Sequence, residues 1–262
     1  MIRKSIIFIV VSILFLLGAC NPKAKETMEK TKLPETHIPE SETETSENKP
    51  ENPEQTHEEV MEEVKSAIET EIELKLPSDV IIGDGYLTAI TTSDESNYEV
   101  NFYTTNVPIP VNDPSLHDAH PYMIVSGAKF DSADAAKAKI NYQPIIDGAE
   151  EIDLGHGVVG YRDAGAGSIF MTWHEGRWSF LIRNLNSESG NEEMIDLSKQ
   201  IVAKLESQLL PAPQKIGAGT FDMDSDGAVA NILMWQESDV VYEVYTADPL
   251  ILVDTVTDYM KE

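Results

Sequence analysis

Asp222-Met223-Asp224-Ser225-Asp226-Gly227 places three carboxylates at alternate positions ahead of a glycine. That is how a calcium loop opens: the carboxylates converge on one hard cation and the glycine allows the sharp turn. The twelfth position of such a loop is Leu233 here rather than Glu, and apolar, strand-like runs flank the segment. The spacing therefore supports either a plain acidic hairpin turn or a weak divalent-cation site. A second group, His117-Asp118-Ala119-His120, sets two imidazoles and a carboxylate close together. Zinc takes such ligands, but no third protein ligand is evident, and solvated loop histidines fit equally well. His156, between Gly155 and Gly157, reads as a structural residue at the start of a strand. Gly165-Ala166-Gly167-Ser168 lacks the spacing of a nucleophile elbow, and Gly83-Asp84-Gly85 carries no lysine to cradle a phosphate. The chain reads as non-catalytic, with no cofactor beyond that weak divalent cation.

The 262 residues include 46 acidic and 19 basic side chains, a net charge of −27. Phosphate backbones are bound by clustered lysine and arginine, so nucleic acid is excluded as a partner and anionic membrane surfaces are disfavoured. Beyond residue 56 the net charge is still −25, so the acidity belongs to the folded part. Between residues 21 and 56 the apolar side chains are Ala24, Met28, Leu33 and Ile38, and prolines stand at 22, 34, 39, 50 and 53. Such a stretch buries too little surface to offset its ordering entropy, and residues 20–56 are expected to form a disordered acidic tether.

The first residues, MIRKSIIFIVVSILFLLGAC, join a basic start to an apolar run from Ile6 to Leu17. The run falls short of the roughly 20 residues that a spanning helix needs, and reads as a signal peptide over 1–19. Its ending, Leu17-Gly18-Ala19-Cys20, resembles the bacterial lipobox, in which the cysteine becomes the lipid-modified first residue. The resemblance implies a lipoprotein held at the extracytoplasmic face of the cell membrane by palmitate-type acyl chains on Cys20. Cys20 is the single cysteine of the chain, so no internal disulfide or thiolate cluster can form.

Stepping along the folded part, Thr56-His57-Glu58-Glu59 is a capping box. Val60, Val64, Ile68 and Ile72 follow at spacing four and predict one helix ending before Pro77. Internal repetition is the next signal. Leu76-Pro77 with Ile82-Gly83-Asp84-Gly85 recurs as Leu210-Pro211 with Ile216-Gly217-Ala218-Gly219. From Gly155 onward a gapless offset of 62 aligns Gly165 with Gly227, Trp173 with Trp235, Glu175 with Glu237 and Phe180 with Tyr242. The pattern predicts an α+β domain over 57–262 built from three β-β-β-α modules, about 76–142, 143–209 and 210–262. Their strands are antiparallel and their helices cover one face. One continuous sheet and three separate lobes both satisfy it.

Trp173 and Trp235 share one register and read as core. Trp178, replaced by Val240 in the third module, is a candidate exposed contact for a partner. The run Trp173-His174-Glu175-Gly176-Arg177-Trp178-Ser179-Phe180, followed by an amphipathic helix, resembles a Trp-x-x-Gly hairpin-plus-helix domain of unknown function. That domain occurs in Firmicute envelope lipoproteins and anti-sigma-factor ectodomains, and is similar to lipoprotein-carrier-like sensors. The resemblance implies binding or sensing of an envelope protein or ligand, with no catalytic residues to carry over. A metal-dependent envelope hydrolase using the His117 to His120 loop, and a carrier of an apolar ligand, are the alternatives.

Overall fold

The computed structural model describes residues 55–259, which lie within one compact unit. Helix α1, His57–Ala67, starts with the predicted capping box: the Thr56 hydroxyl accepts from the Glu59 amide, and the Glu59 carboxylate accepts from the Thr56 amide at 2.8 Å. It buries Val60, Met61 and Val64. The helix is shorter than its apolar spacing predicts. Ile68 is already extended at φ −95°, ψ 122°, and Ile72 and Leu76 reach the core from an extended segment instead.

Three strands follow: β1 Tyr86–Asp94, β2 Asn97–Thr105 and β3 Met123–Lys129. Their alternation is plain in β2, where Tyr98, Val100 and Phe102 are buried. Helix α2, Ala133–Lys139, leads to β4 Glu150–Gly155, β5 Val158–Gly165, β6 Ser168–Glu175 and β7 Trp178–Leu185. The β4–β5 and β5–β6 turns place His156-Gly157 and Ala166-Gly167 at positive φ, the type I′ geometry that suits a two-residue hairpin. His156 is thus a turn residue. Helix α3, Glu188–Leu205, is capped by Ser187 and connects to β8 Gly217–Asp222, β9 Asn231–Glu237, β10 Val240–Thr246 and α4 Pro249–Asp258. Asp248 caps α4 ahead of its proline, its side chain accepting the Leu250 and Ile251 amides.

All ten strands share one sheet, in the order β1-β2-β3-β10-β9-β8-β7-β6-β5-β4. The β7–β8 pair is parallel and the other pairs are antiparallel. The middle stretch supplies four strands rather than three, because β4 adds itself outside β5. The gapless offset of 62 also fails in the first strand of the pair: Arg162 faces Met171, whereas Gly219 faces Leu233, an offset of 57. Five extra residues lie in the Asp-rich turn between β8 and β9.

The main core lies on one face, where α1, α3 and α4 bury Trp173, Phe180, Phe221, Leu233, Trp235 and their neighbours. Helix α2 departs from the one-sided arrangement. Its Ala136, with Ile140, packs against Ala218, Met234 and Val241, which alternate with the main-core positions and so lie on the opposite face. Glycines make room for rings on adjacent strands. A Cβ on Gly217 would stand 2.8 Å from the Trp178 indole, and one on Gly219 2.7 Å from Phe180.

Candidate functional site

The predicted residues are dispersed. Cys20 and the tether lie outside the described residues. His117 and His120 are exposed in the long loop after β2, just past a 3-10 turn, Pro114–Leu116, whose Leu116 is buried. This loop covers the free edge of β1. Asn112, at φ 64°, donates its amide to Ala89 O at 2.8 Å, and its Oδ1 accepts the Thr91 amide at 2.7 Å. Occupying an edge strand in this way prevents it from pairing with another chain.

Asp222 and Asp224 both face Arg183. Its Nη1 donates to Asp222 Oδ1 at 2.8 Å, and its Nη2 lies 3.4 Å from Asp224 Oδ2. Asp222 Oδ1 also accepts the Asp224 amide at 3.1 Å. Asp226, at φ 48°, sits farther round the exposed turn. The turn borders a depression of about 610 Å³ that it shares with Glu193 and Asp196 of α3. Among the described residues, no three of His, Cys, Asp and Glu are gathered as metal ligands.

Trp178 is buried rather than exposed, at 6% accessibility, and its indole Nε1 donates to Pro211 O at 3.1 Å. It forms a wall of a largely apolar groove of about 360 Å³. One side is the end of β6 and the β6–β7 turn, with Glu175, Gly176 and Arg177. The other is the end of α3 and the run Leu209-Leu210-Pro211-Ala212-Pro213. Two prolines hold that run extended, because each also disfavours helix in the residue before it. Arg177 fastens the far side by donating to Pro213 O at 2.7 Å and Gln214 O at 3.2 Å. At the mouth Leu209 is 71% exposed.

Glu175 and Arg177 are the charged side chains that line this groove. Burial raises the Glu175 carboxyl pKa above the ordinary range. The hydrogen bond from Trp173 opposes that, Glu206 raises it again and His156 lowers it. Trp173 Nε1 donates to Glu175 Oε1 at 2.9 Å, and Trp173 stacks on Phe180 at 4.9 Å. The β9–β10 hairpin repeats these details. Trp235 Nε1 donates to Glu237 Oε1 at 2.8 Å, and Trp235 stacks on Tyr242 at 5.5 Å. Both pairs are direct cross-strand partners, Trp173 with Phe180 and Trp235 with Tyr242.

The groove was not legible in the sequence as a site, since its walls are about thirty positions apart. No family model matches the chain, and neither does any curated protein or solved structure. Among the described residues no helix is long and apolar enough to cross a membrane.

Proposed function

We propose that this chain is a lipid-anchored, extracytoplasmic binding or sensing module that engages an envelope partner at the groove beside Trp178 and carries out no catalysis. The observation that carries this reading is the groove itself. Its lining is mainly apolar beside the charged Glu175 and Arg177, its backbone is stiffened by prolines, and Leu209 stands exposed at its mouth. An exposed leucine beside a preformed apolar concavity is the anatomy of an interface centre. The Leu17-Gly18-Ala19-Cys20 sequence supports the anchor, and the acidic, proline-bearing stretch to residue 56 supports a tether that holds the domain away from the bilayer. The matched Trp-x-Glu hairpins support descent of the modules 143–209 and 210–262 from one ancestral unit, with 76–142 a third and more divergent copy.

Two measurements test the reading. A photoreactive residue at Leu209 should cross-link a discrete partner in the native envelope, while the same probe at the exposed Val107 should not. Equal labelling from both positions would refute the groove as the contact. Cys20→Ser should abolish labelling by a fatty-acid probe, and retained labelling would refute the anchor.

A further inference from the structure

The two Trp-x-Glu hairpins are built alike but their carboxylates are paired differently, and the difference indicates what the one beside Trp178 accepts. Over β9–β10 lies the chain's own extended segment Glu73-Leu74-Lys75-Leu76. Lys75 Nζ sits 3.2 Å from Glu73 Oε1, 3.4 Å from Glu237 Oε2 and 5.4 Å from the centre of the Tyr242 ring. The backbone of the segment is held as well: Tyr242 OH donates to Glu73 O at 3.1 Å, and Tyr98 OH donates to Lys75 O at 2.9 Å. Leu76 is buried in the main core. The hairpin carboxylate thus shares, with Glu73, an ammonium group carried between Leu74 and Leu76.

Over β6–β7 the matching carboxylate, Glu175, forms no ion pair with a lysine among the described residues. Its titratable neighbours are Glu206, of like sign, and His156, which lies 3.8 Å from Glu206. The adjoining space is the apolar groove of Trp178, Leu205 and Leu209. Arg177, the nearby cation of the β6–β7 turn, directs its Nη1 to the Pro213 and Gln214 carbonyls on the far wall. A partly buried carboxylate beside an apolar groove, on a domain of net charge −25, is complementary to a cation carried among apolar side chains.

We infer that the Trp178 groove binds an extended segment of a partner protein in which one lysine stands between apolar residues, its ammonium pairing with Glu175 as Lys75 pairs with Glu237. The inference rests on the proposed function above and names the chemistry of its partner.

The test uses the folded chain and the peptide acetyl-Glu-Leu-Lys-Leu-amide, a copy of residues 73–76, with a version in which norleucine replaces lysine. Binding is followed on the three indole N–H signals by NMR. The lysine peptide should shift Trp173 and Trp178 saturably and leave Trp235 in place. Norleucine, or Glu175→Gln in the protein, should each weaken binding about tenfold, and combining them should weaken it little further. Leu209→Ser, at an exposed position that cannot disturb the core, should also weaken it several-fold. Equal binding of the norleucine peptide overturns the inference while leaving an apolar binding groove intact. Displacement of Trp235 instead overturns it, because the peptide would then be competing with Lys75. Shifts produced by phosphatidylethanolamine vesicles but not by the peptide overturn it in favour of a lipid amine. No response at Trp178 to any of these probes, together with no specific cross-link from Leu209, removes the groove reading itself.

Discussion

Gly217→Ala is the sharpest probe of how the groove is held. Gly217 is the cross-strand partner of Trp178 on the parallel neighbour, and a methyl group there would meet three indole carbons at 2.8 to 2.9 Å. Apolar carbons rest about 3.5–4.0 Å apart, so the ring would have to retreat by roughly 0.7–1.2 Å. The indole has little freedom to do so. Its Nε1 is tied to Pro211 O at 3.1 Å, and its ring stacks on Phe180 with a centroid separation of 6.1 Å. Overpacking of this kind costs about 1–3 kcal/mol, and losing the indole hydrogen bond would add about 1 kcal/mol. Replacing a strand glycine returns about 0.5–1 kcal/mol of backbone entropy. The net expectation is a loss of about 1–3 kcal/mol, read as a lower urea midpoint at unchanged slope. Trp178→Leu alone should also destabilise, by opening a cavity. The double variant should be more stable than the sum of the two losses by about 0.5–2 kcal/mol, because removing the ring removes the clash. A neutral or stabilising Gly217→Ala, or strict additivity in the double variant, would refute the ring-on-glycine packing.

Glu175→Gln should change the pH dependence of stability. Burial, the largest cause, raises the folded carboxyl pKa above the unfolded value of about 4.3, so protonation favours the fold. That stabilisation is present at low pH and is lost as pH rises through the folded value. The glutamine variant should therefore show a flatter stability profile above about pH 4.3, checked by urea melts from pH 4 to 8. An unaltered profile would refute the assignment. Lys75→Met should destabilise by about 1 kcal/mol, since its ammonium lies between Glu237 and Tyr242, and Glu237→Gln in that background should recover part of the loss. Finally, Arg183 occupies the space between Asp222 and Asp224. Calcium should therefore raise the melting temperature no more than sodium chloride of matched ionic strength, and Arg183→Gln should enlarge the calcium effect. A calcium-specific rise of several degrees in the unaltered protein, abolished by changing Asp222, Asp224 and Asp226 to Asn, would establish a cation site instead.

The central hairpin was legible in the sequence: β6 and β7 are apolar-rich runs on either side of Gly176, although both of their faces are largely buried. Caps were legible for the same local reason, as Thr56 and Asp248 show. β4 was not, because it is an outer strand in which only Ile152 and Leu154 turn toward apolar surroundings among Glu150, Glu151 and Asp153. The side taken by α2 was hidden too, since a helix reading ADAAKAK buries only Ala136 and has no stripe to orient it. The first helix was overextended because Ile68 and Ile72 keep helical spacing, yet β-branched Ile68 and Thr70 favour the extended run that crosses toward β10. Trp178 was read as exposed because Val240 replaces it in the matching hairpin. What buries it is a connection some thirty residues onward, and local patterning carries no record of that.

The position of the groove follows from the one parallel joint in the sheet. β7 and β8 begin at the same end, with Trp178 beside Gly217. To start β8 there, the chain must travel back the full length of β7. Eight strand residues span about 26 Å, and the 18 residues of α3 span about 27 Å, so the helix returns the chain to its starting level. The chain must then descend from the helix layer to the sheet between residues 206 and 216, at the corner where Trp178 stands. The prolines at 211 and 213 keep the descent extended as a wall, and Arg177 of the β6–β7 turn holds it through the Pro213 and Gln214 carbonyls. The β9–β10 hairpin meets β3 in antiparallel fashion and needs no such descent. Its corner receives residues 73–76, and a depression of about 310 Å³ remains there between Lys75, Pro211, Gln214, Glu237 and Tyr259. Both hairpin corners are therefore open to a similar extent, about 310 Å³ at Glu237 and 360 Å³ at Glu175, and what sets the parallel joint apart is the charge beside the carboxylate: Glu237 pairs with Lys75, whereas among the described residues Glu175 pairs with no lysine.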